Sequence, residues 1–277
     1  MQLTPVYGSD PVLALDVDHH AAVAAAIRQR RRFVEELAAL DAEAWAHASR
    51  CEGWTVRDVV VHLDTTNTFW RYSISAGLAG SPTRLLAEFD PVASPAAMVA
   101  ASPAGPTEVL ASFQASTEAL CDLWEGLDDE ALVATAEAPP GHVAVGAVVH
   151  HALWDSLVHE HDVLGPLGLE VPRHDDEVAG ALAYAAGLGA GYDLTRGMRR
   201  QGTLAVVASD PDLVVVVEVD ALVAVHLAPS PPDGTDVVLE GDAAELLDVL
   251  SVRRPLEQAV PEEAAWLVTG LATVFDQ

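Results

Sequence analysis

Histidine and carboxylate side chains crowd one short stretch of an otherwise apolar chain, HHALWDSLVHEHD, His150 to Asp162. Read as a helix, this segment sets Asp155 and His159 one turn apart on a common face, with Val148, Ala152 and Asp162. A second stripe, His150, Trp154, Leu157 and His161, is rotated by about a third of a turn. A carboxylate and an imidazole at i and i+4 converge on one ion, and the small Ala152 leaves room beside them. Helical bundles build metal sites in this way, from inward side chains on facing helices. A third ligand is needed, and the candidate is His62, on the apolar face of an earlier helix between Val59 and Thr66. Two imidazoles and a carboxylate leave coordination positions open, the catalytic arrangement for Zn²⁺ or another divalent ion. Asp162 and Glu160 are candidates to orient an imidazole from behind. Plainer roles suit the same residues. His62 reads equally as a hydrogen-bonded core histidine, Asp155 with His159 as a helix-surface pair, and His150, His151 and His161 as structural or surface side chains. Periodicity alone does not choose between them.

The elements that must position these residues are mostly helical. Asp18 to Leu40 has apolar residues at helical spacing and a basic run, Arg28 and Arg30 to Arg32, read as exposed. Thr55 with Asp58 forms a capping-box pair that opens a second helix through Val59, His62, Thr66 and Phe69. A loop rich in Pro, Ala and Gly, 81 to 106, leads to a third helix from Thr107 through Trp124. Pro139-Pro140-Gly141 precedes a fourth, Val143 to Leu164, and Asp175 to Gly189 reads as a fifth. The texture changes near residue 200. Short β-branched runs at 204–207, 213–219, 221–227 and 237–239 predict strands, and 243–250 and 261–275 read as helices. The expected class is α+β, with a helical domain at 1–198 and a small α/β domain at 199–277. GLGAG, Gly187 to Gly191, mimics a nucleotide loop but follows a helix rather than a strand, so it is set aside.

Composition excludes several chemistries. All 14 basic residues are Arg and none is Lys, so no lysine Schiff base and no P-loop lysine exists here. Against 42 acidic residues the formal charge is −28. Such a field repels phosphate backbones and anionic lipid heads, so neither nucleic acid nor membrane is an expected partner. Cys51 and Cys121 form no CxxC pair, which excludes a disulfide framework and a cysteine-rich zinc site. The first twenty residues lack the basic and apolar regions of a signal peptide, and Glu218 and Asp220 interrupt the most apolar stretch. A cytoplasmic protein, monomeric or a small homo-oligomer, is expected.

Three segments resemble one family in order along the chain. CEGWTVRDVVVHL, Cys51 to Leu63, and WDSLVHEHDVLGPLGL, Trp154 to Leu169, are similar to the two helical motifs of the mycothiol-dependent maleylpyruvate isomerase family of DinB-like proteins. VVLEGDAAELLDVLSVRRP, Val237 to Pro255, resembles that family's C-terminal segment. The resemblance implies a DinB-like four-helix bundle followed by a sterol-carrier-like α/β domain. It implies a divalent metal, usually zinc, on His62, Asp155 and His159, and mycothiol as cosubstrate. The family's C-terminal Arg, which helps bind an acidic substrate or the thiol, falls on Arg253, or on Arg254 if the register slips by one. Two departures are visible. Asp155 replaces the isomerase's Glu and is one methylene shorter, and Ser251-Val252 replaces an aromatic-Gly pair before the Arg.

An open-coordination metal holds a small thiol as thiolate, the competent nucleophile. Reversible conjugate addition would isomerise a cis-enoyl acid, whereas addition without elimination would transfer the thiol to an electrophile. The charge favours a neutral electrophile, hence transfer. Neither reaction requires the chain's own cysteines, and Cys51 reads as a small helix-entry residue. Two other classes remain: a metal-dependent hydrolase using activated water, and a non-catalytic protein that sequesters a small molecule and keeps a vestigial site.

Overall fold

The computed structural model of the protein describes residues 4–275. In chain order the elements are β1 (Leu13–Asp16), α1 (His19–Ala38), α2 (Val56–Leu78), α3 (Ala93–Ala101), α4 (Pro106–Glu125), α5 (Asp129–Val133), β2 (Thr135–Ala138), β3 (Gly141–Ala144), α6 (Val145–Leu164), α7 (Asp175–Thr195), β4 (Gly202–Ser209), β5 (Leu213–Val219), β6 (Val223–Ala228), β7 (Val237–Asp242), α8 (Ala243–Leu250), α9 (Trp266–Thr269) and α10 (Ala272–Phe275). The protein mixes helices and sheets, with a helical first part and a strand-rich last part.

Helices α1, α2, α4 and α6 pack as a four-helix bundle, α1 against α4 and α6, and α2 against the same two. Their starts are encoded locally. Thr55 accepts from the Asp58 amide while Asp58 accepts from that of Thr55, closing the capping box of α2. Asp18 accepts from the Ala21 amide at the start of α1. Within α6 every residue except His161 is buried, because α7 and the sheet cover the side that the bundle leaves open. Its polar side chains therefore meet protein rather than water, and the cost of burial must be met by partners.

The five-stranded sheet runs β1-β6-β5-β4-β7. β4, β5 and β6 form an antiparallel meander, and β7 and β1 join its two edges in parallel. Helix α7 lies between the meander and α6, so one hydrophobic cluster runs from Leu153 through Tyr184 to Val206 and Val217. A second cluster, with Phe33, Leu37, Val59, Leu63 and Phe113, fills the far end of the bundle.

Several expectations are corrected. The first strand belongs to residues ahead of the bundle: Leu13 to Asp16 pair with Val223 to His226. The loop at 81–106 contains α3, which buries Pro95 and Val99. Pro139-Pro140 turns a short hairpin, β2 to β3, before α6 begins. The helix at 175 continues past Gly189 to Thr195, and 261–275 is broken into short pieces. The basic run of α1 is not uniformly exposed. Arg30 is fully buried, since it shares a helical stripe with Ala26, Phe33 and Leu37, which also face the core. Among the described residues no helix is long and apolar enough to cross a membrane.

Candidate metal centre

The structure brings His62 of α2 and Asp155 and His159 of α6 together. Nε2 of His62 and Nε2 of His159 each lie 3.6 Å from the same atom, Asp155 Oδ1, and the two rings stand edge to face with centroids 5.1 Å apart. Ligands about 2.1 Å from a tetrahedral zinc are about 3.4 Å from one another, so these spacings match a shared ion better than direct hydrogen bonds. Two further observations bear on the fit. Asp155 Oδ2 and His62 Nδ1 are buried without a hydrogen-bond partner, and all three ligand atoms lie within 4.8 Å of one another. The nitrogen and oxygen donor set suits a divalent cation. Side-chain exposures of 11% for His62 and Asp155 and 10% for His159 leave the group slightly open to solvent.

Electrostatics follow from the same contacts. Burial alone would raise the Asp155 pKa, but His62 and His159 hold its carboxyl well below the usual range. Burial likewise opposes charge on His159, yet the Cys51 sulfur, the Asp162 carboxylate and Asp155 together push its pKa up to about 10. A divalent ion and a proton thus compete for the same nitrogen.

Behind His159 stands Asp162. Its carboxylate is fully buried and accepts from His159 Nδ1 at 3.0 Å, which leaves Nε2 to face Asp155. Glu160, the other expected orienting residue, points elsewhere. Its carboxylate meets Arg32 at 2.8 Å, since one residue along a helix turns the side chain by about 100°. Of the two arginines that the resemblance offered, Arg253 reaches the bundle and Arg254 does not. Arg253 Nη2 is 2.8 Å from Asp162 Oδ2, and its Nε is 3.0 Å from Oδ1. Arg254 pairs with Glu245 at the surface.

Cys51 is a neighbour that local sequence did not signal. Its thiol donates to Asp162 Oδ2 at 3.2 Å and lies 3.5 Å from His159 Nδ1. The placement depends on the turn before α2 docking on the end of α6, where the Arg50 amide donates to the Asp162 carbonyl. Cys51, His159 and Asp162 form a second group with ligand-like spacing. The Arg253 guanidinium already lies against two of its members, with Nη2 3.7 Å from Cys51 Sγ, so a second cation there would meet a fixed positive charge. Trp54 walls the opening beside His62, centroids 5.4 Å apart. His150 and His151 are buried with their Nδ1 atoms engaged elsewhere: Nδ1 of His150 donates to the Gly180 carbonyl, and Nδ1 of His151 meets the Tyr184 hydroxyl. The Ala152 carbonyl accepts from Arg30 Nη2 at 3.0 Å.

Residues 26–164 match the profile of the mycothiol maleylpyruvate isomerase N-terminal domain. Two crystal structures share the fold, one of the mycothiol-dependent maleylpyruvate isomerase and one of a histidine-to-alanine mutant of it. Each has a TM-score of 0.59 and 15% identity, over 86% of this chain and 91% of the other. At that identity the likeness is one of fold. No curated protein sequence matches the chain.

Proposed function

The chain belongs to the family defined by the mycothiol maleylpyruvate isomerase N-terminal domain, and on that premise we propose that it is a metal-dependent enzyme that uses a low-molecular-weight thiol of the mycothiol type. The observation that supports this most directly is the shared approach of His62 and His159 to Asp155 Oδ1 at a partly open position. His62, Asp155 and His159 would hold a divalent cation, with zinc first in expectation. Bound there, the cation would lower the pKa of a ligating thiol and so supply a nucleophile at neutral pH.

The chain's own residues do the rest. Asp162 keeps a proton on Nδ1 of His159 and thereby fixes which nitrogen faces Asp155. Trp54 and the depth of the group restrict water at the opening. In thiol transfer an S–C bond forms on the electrophile. In addition the neighbouring carbon takes up a proton in place of the one the thiol gave up, and in substitution the leaving group departs with its bonding pair while the thiol proton passes to solvent. In cis–trans isomerisation of an enoyl acid the same bond forms and breaks again, returning the thiol unchanged. The partners are therefore a thiol and a small electrophile. Arg253, with its fork on Asp162, does not present a free guanidinium to a substrate carboxylate, which favours a neutral electrophile and transfer. The free thiols Cys51 and Cys121 suit a reducing cytoplasm.

Metal content of tag-free protein by mass spectrometry, beside His62→Ala and Asp155→Ala, tests the reading. Near-stoichiometric metal that both variants lose, followed by turnover of a neutral electrophile only with the thiol present, is the expected result. Wild-type protein that stays empty when zinc is supplied overturns it.

A further inference from the structure

Arg253 lies in the strand-rich part of the chain, immediately after α8, yet its side chain ends inside the bundle. Three of its nitrogens are engaged. Nε and Nη2 fork onto the Asp162 carboxylate, and Nη1 donates to the Ser251 carbonyl at 3.0 Å. Planar forks of this kind fix position as well as charge. The loop that carries Arg253 is itself held, because Ser251 Oγ accepts from Nε1 of Trp154 at 2.8 Å, one residue from Asp155.

Asp162 is fully buried, and a carboxylate there needs close partners to offset the loss of water. It has two cationic neighbours besides the ring of His159. Arg253 makes the close, forked contact, and Arg50 stands at 3.4 Å while engaged at 2.9 Å with Asp248. Without Arg253 the carboxylate keeps the Cys51 thiol and His159 Nδ1 on Oδ2, and the offset pull of Arg50 on Oδ1 would turn it. The ring of His159 rests on this carboxylate through Nδ1 and carries Nε2 on its other side. A rotation of the carboxylate is therefore a rotation of the nitrogen that faces Asp155.

Resting on the metal reading above, we infer that Arg253 is a positioning residue. It clamps Asp162, Asp162 aims His159, and the strand-rich part of the chain thereby sets the affinity of the centre without touching it. Arg253 does not serve as a direct anchor for substrate or thiol.

The test is a thermodynamic cycle read by metal binding. Zn²⁺ affinity is measured by competition with a chromophoric chelator for wild type, Asp162→Asn, Arg253→Gln and the double variant, with Arg253→Lys as the conservative replacement and Arg254→Gln as control. The Co²⁺ absorption spectrum reports ligand geometry, and thermal melts establish that each protein is folded. Loss of an outer partner of a ligating histidine weakens metal affinity about 10- to 100-fold. Asp162→Asn is expected in that range and Arg253→Gln near tenfold, with altered Co²⁺ bands. Arg253→Lys should fall between Gln and wild type, and Arg254→Gln should match wild type. The double variant should be no weaker than Asp162→Asn alone, because Arg253 acts only through Asp162. Wild-type affinity and spectrum in Arg253→Gln, or losses that multiply in the double variant, overturn the inference and leave the metal reading standing. A wild-type protein that binds neither Zn²⁺ nor Co²⁺ overturns both.

Discussion

Nε1 of Trp154 on α6 donates to Oγ of Ser251, 2.8 Å away, so the helix that carries Asp155 also fixes the loop that carries Arg253. That loop is strained at its next residue. Val252 adopts φ of 58°, the left-handed region that a β-branched side chain disfavours.

Val252→Gly is therefore expected to stabilise the protein. Relief of a left-handed β-branched residue is worth about 1 to 3 kcal/mol, against about 0.5 to 1 kcal/mol for the added freedom of the unfolded chain. Urea denaturation should show a gain near 1 kcal/mol with an unchanged slope. A lower midpoint would mean that packing by Val252, rather than its backbone, dominates.

Glu137 offers a second point of attack, remote from the candidate centre. Its buried carboxylate accepts from the Tyr7 hydroxyl, the Thr83 hydroxyl and the amides of Leu85 and Leu86, at 2.6 to 2.8 Å. All four partners are donors. An amide in place of the carboxylate turns one accepting oxygen into a donor facing donors, so Glu137→Gln should cost about 2 to 3 kcal/mol. Hydrogen exchange at the Leu85 and Leu86 amides should accelerate first, since the segment 83–86 hangs on this carboxylate. Exchange that rises no more there than across the bundle would rule out a local anchor.

What could be read from the chain depended on how far away each contact's partner lies. The capping box of Thr55 and Asp58 is complete within four residues, and the start of α2 was legible to the residue. The turn spacing of Asp155 and His159 is equally local. His62 was legible because an apolar stripe points it inward, toward whatever α2 packs on. By contrast, Leu13–Asp16 is four residues long and becomes a strand only through Val223–His226, far along the chain. Cys51 and Arg253 meet Asp162 through the docking of three separate segments, and nothing in their own neighbourhoods encodes that. Two glycines of GLGAG show the same dependence. A Cβ at Gly187 would press on Val225 and Leu13, and one on Gly270 would collide with the carbonyl of Gly189. Gly187 and Gly189 thus mark close approaches of α7 to the sheet and to the residues just after α9, whereas Gly191 has open space beside it.

Zinc should raise the melting temperature of the wild type, since a ligand that binds only the folded chain stabilises it by mass action. At free zinc one hundred times the dissociation constant the gain is about 2.7 kcal/mol. His62→Ala and Asp155→Asn should keep their metal-free stability to within about 1 to 2 kcal/mol while losing the zinc increment. A chelator should reverse the increment in wild type alone. An equal zinc shift in wild type and both variants would place the bound ion elsewhere.

His150 makes a pH prediction with a definite sign. Its Nδ1 donates to the Gly180 carbonyl, its Nε2 is buried without a partner, and the ring of His19 stands edge-on at 5.4 Å. A second proton would be a buried donor with nothing to receive it. Burial accordingly lowers the pKa to about 4, with the Gly180 carbonyl opposing and His19 reinforcing the shift, and Asp18 offsetting a little of it. The unfolded chain takes up this proton below about 6.5 and the folded chain only below about 4, so stability falls as the pH drops through that window. Between pH 7 and pH 5 the loss from this ring is about 2 kcal/mol. Carboxylates titrate in the same range, so the informative quantity is the difference from His150→Gln, which cannot take up the proton. Urea melts at the two pH values should show wild type losing about 2 kcal/mol more than the variant. Equal losses would mean that the ring is charged inside the folded protein, and that the Nε2 proton has found an acceptor.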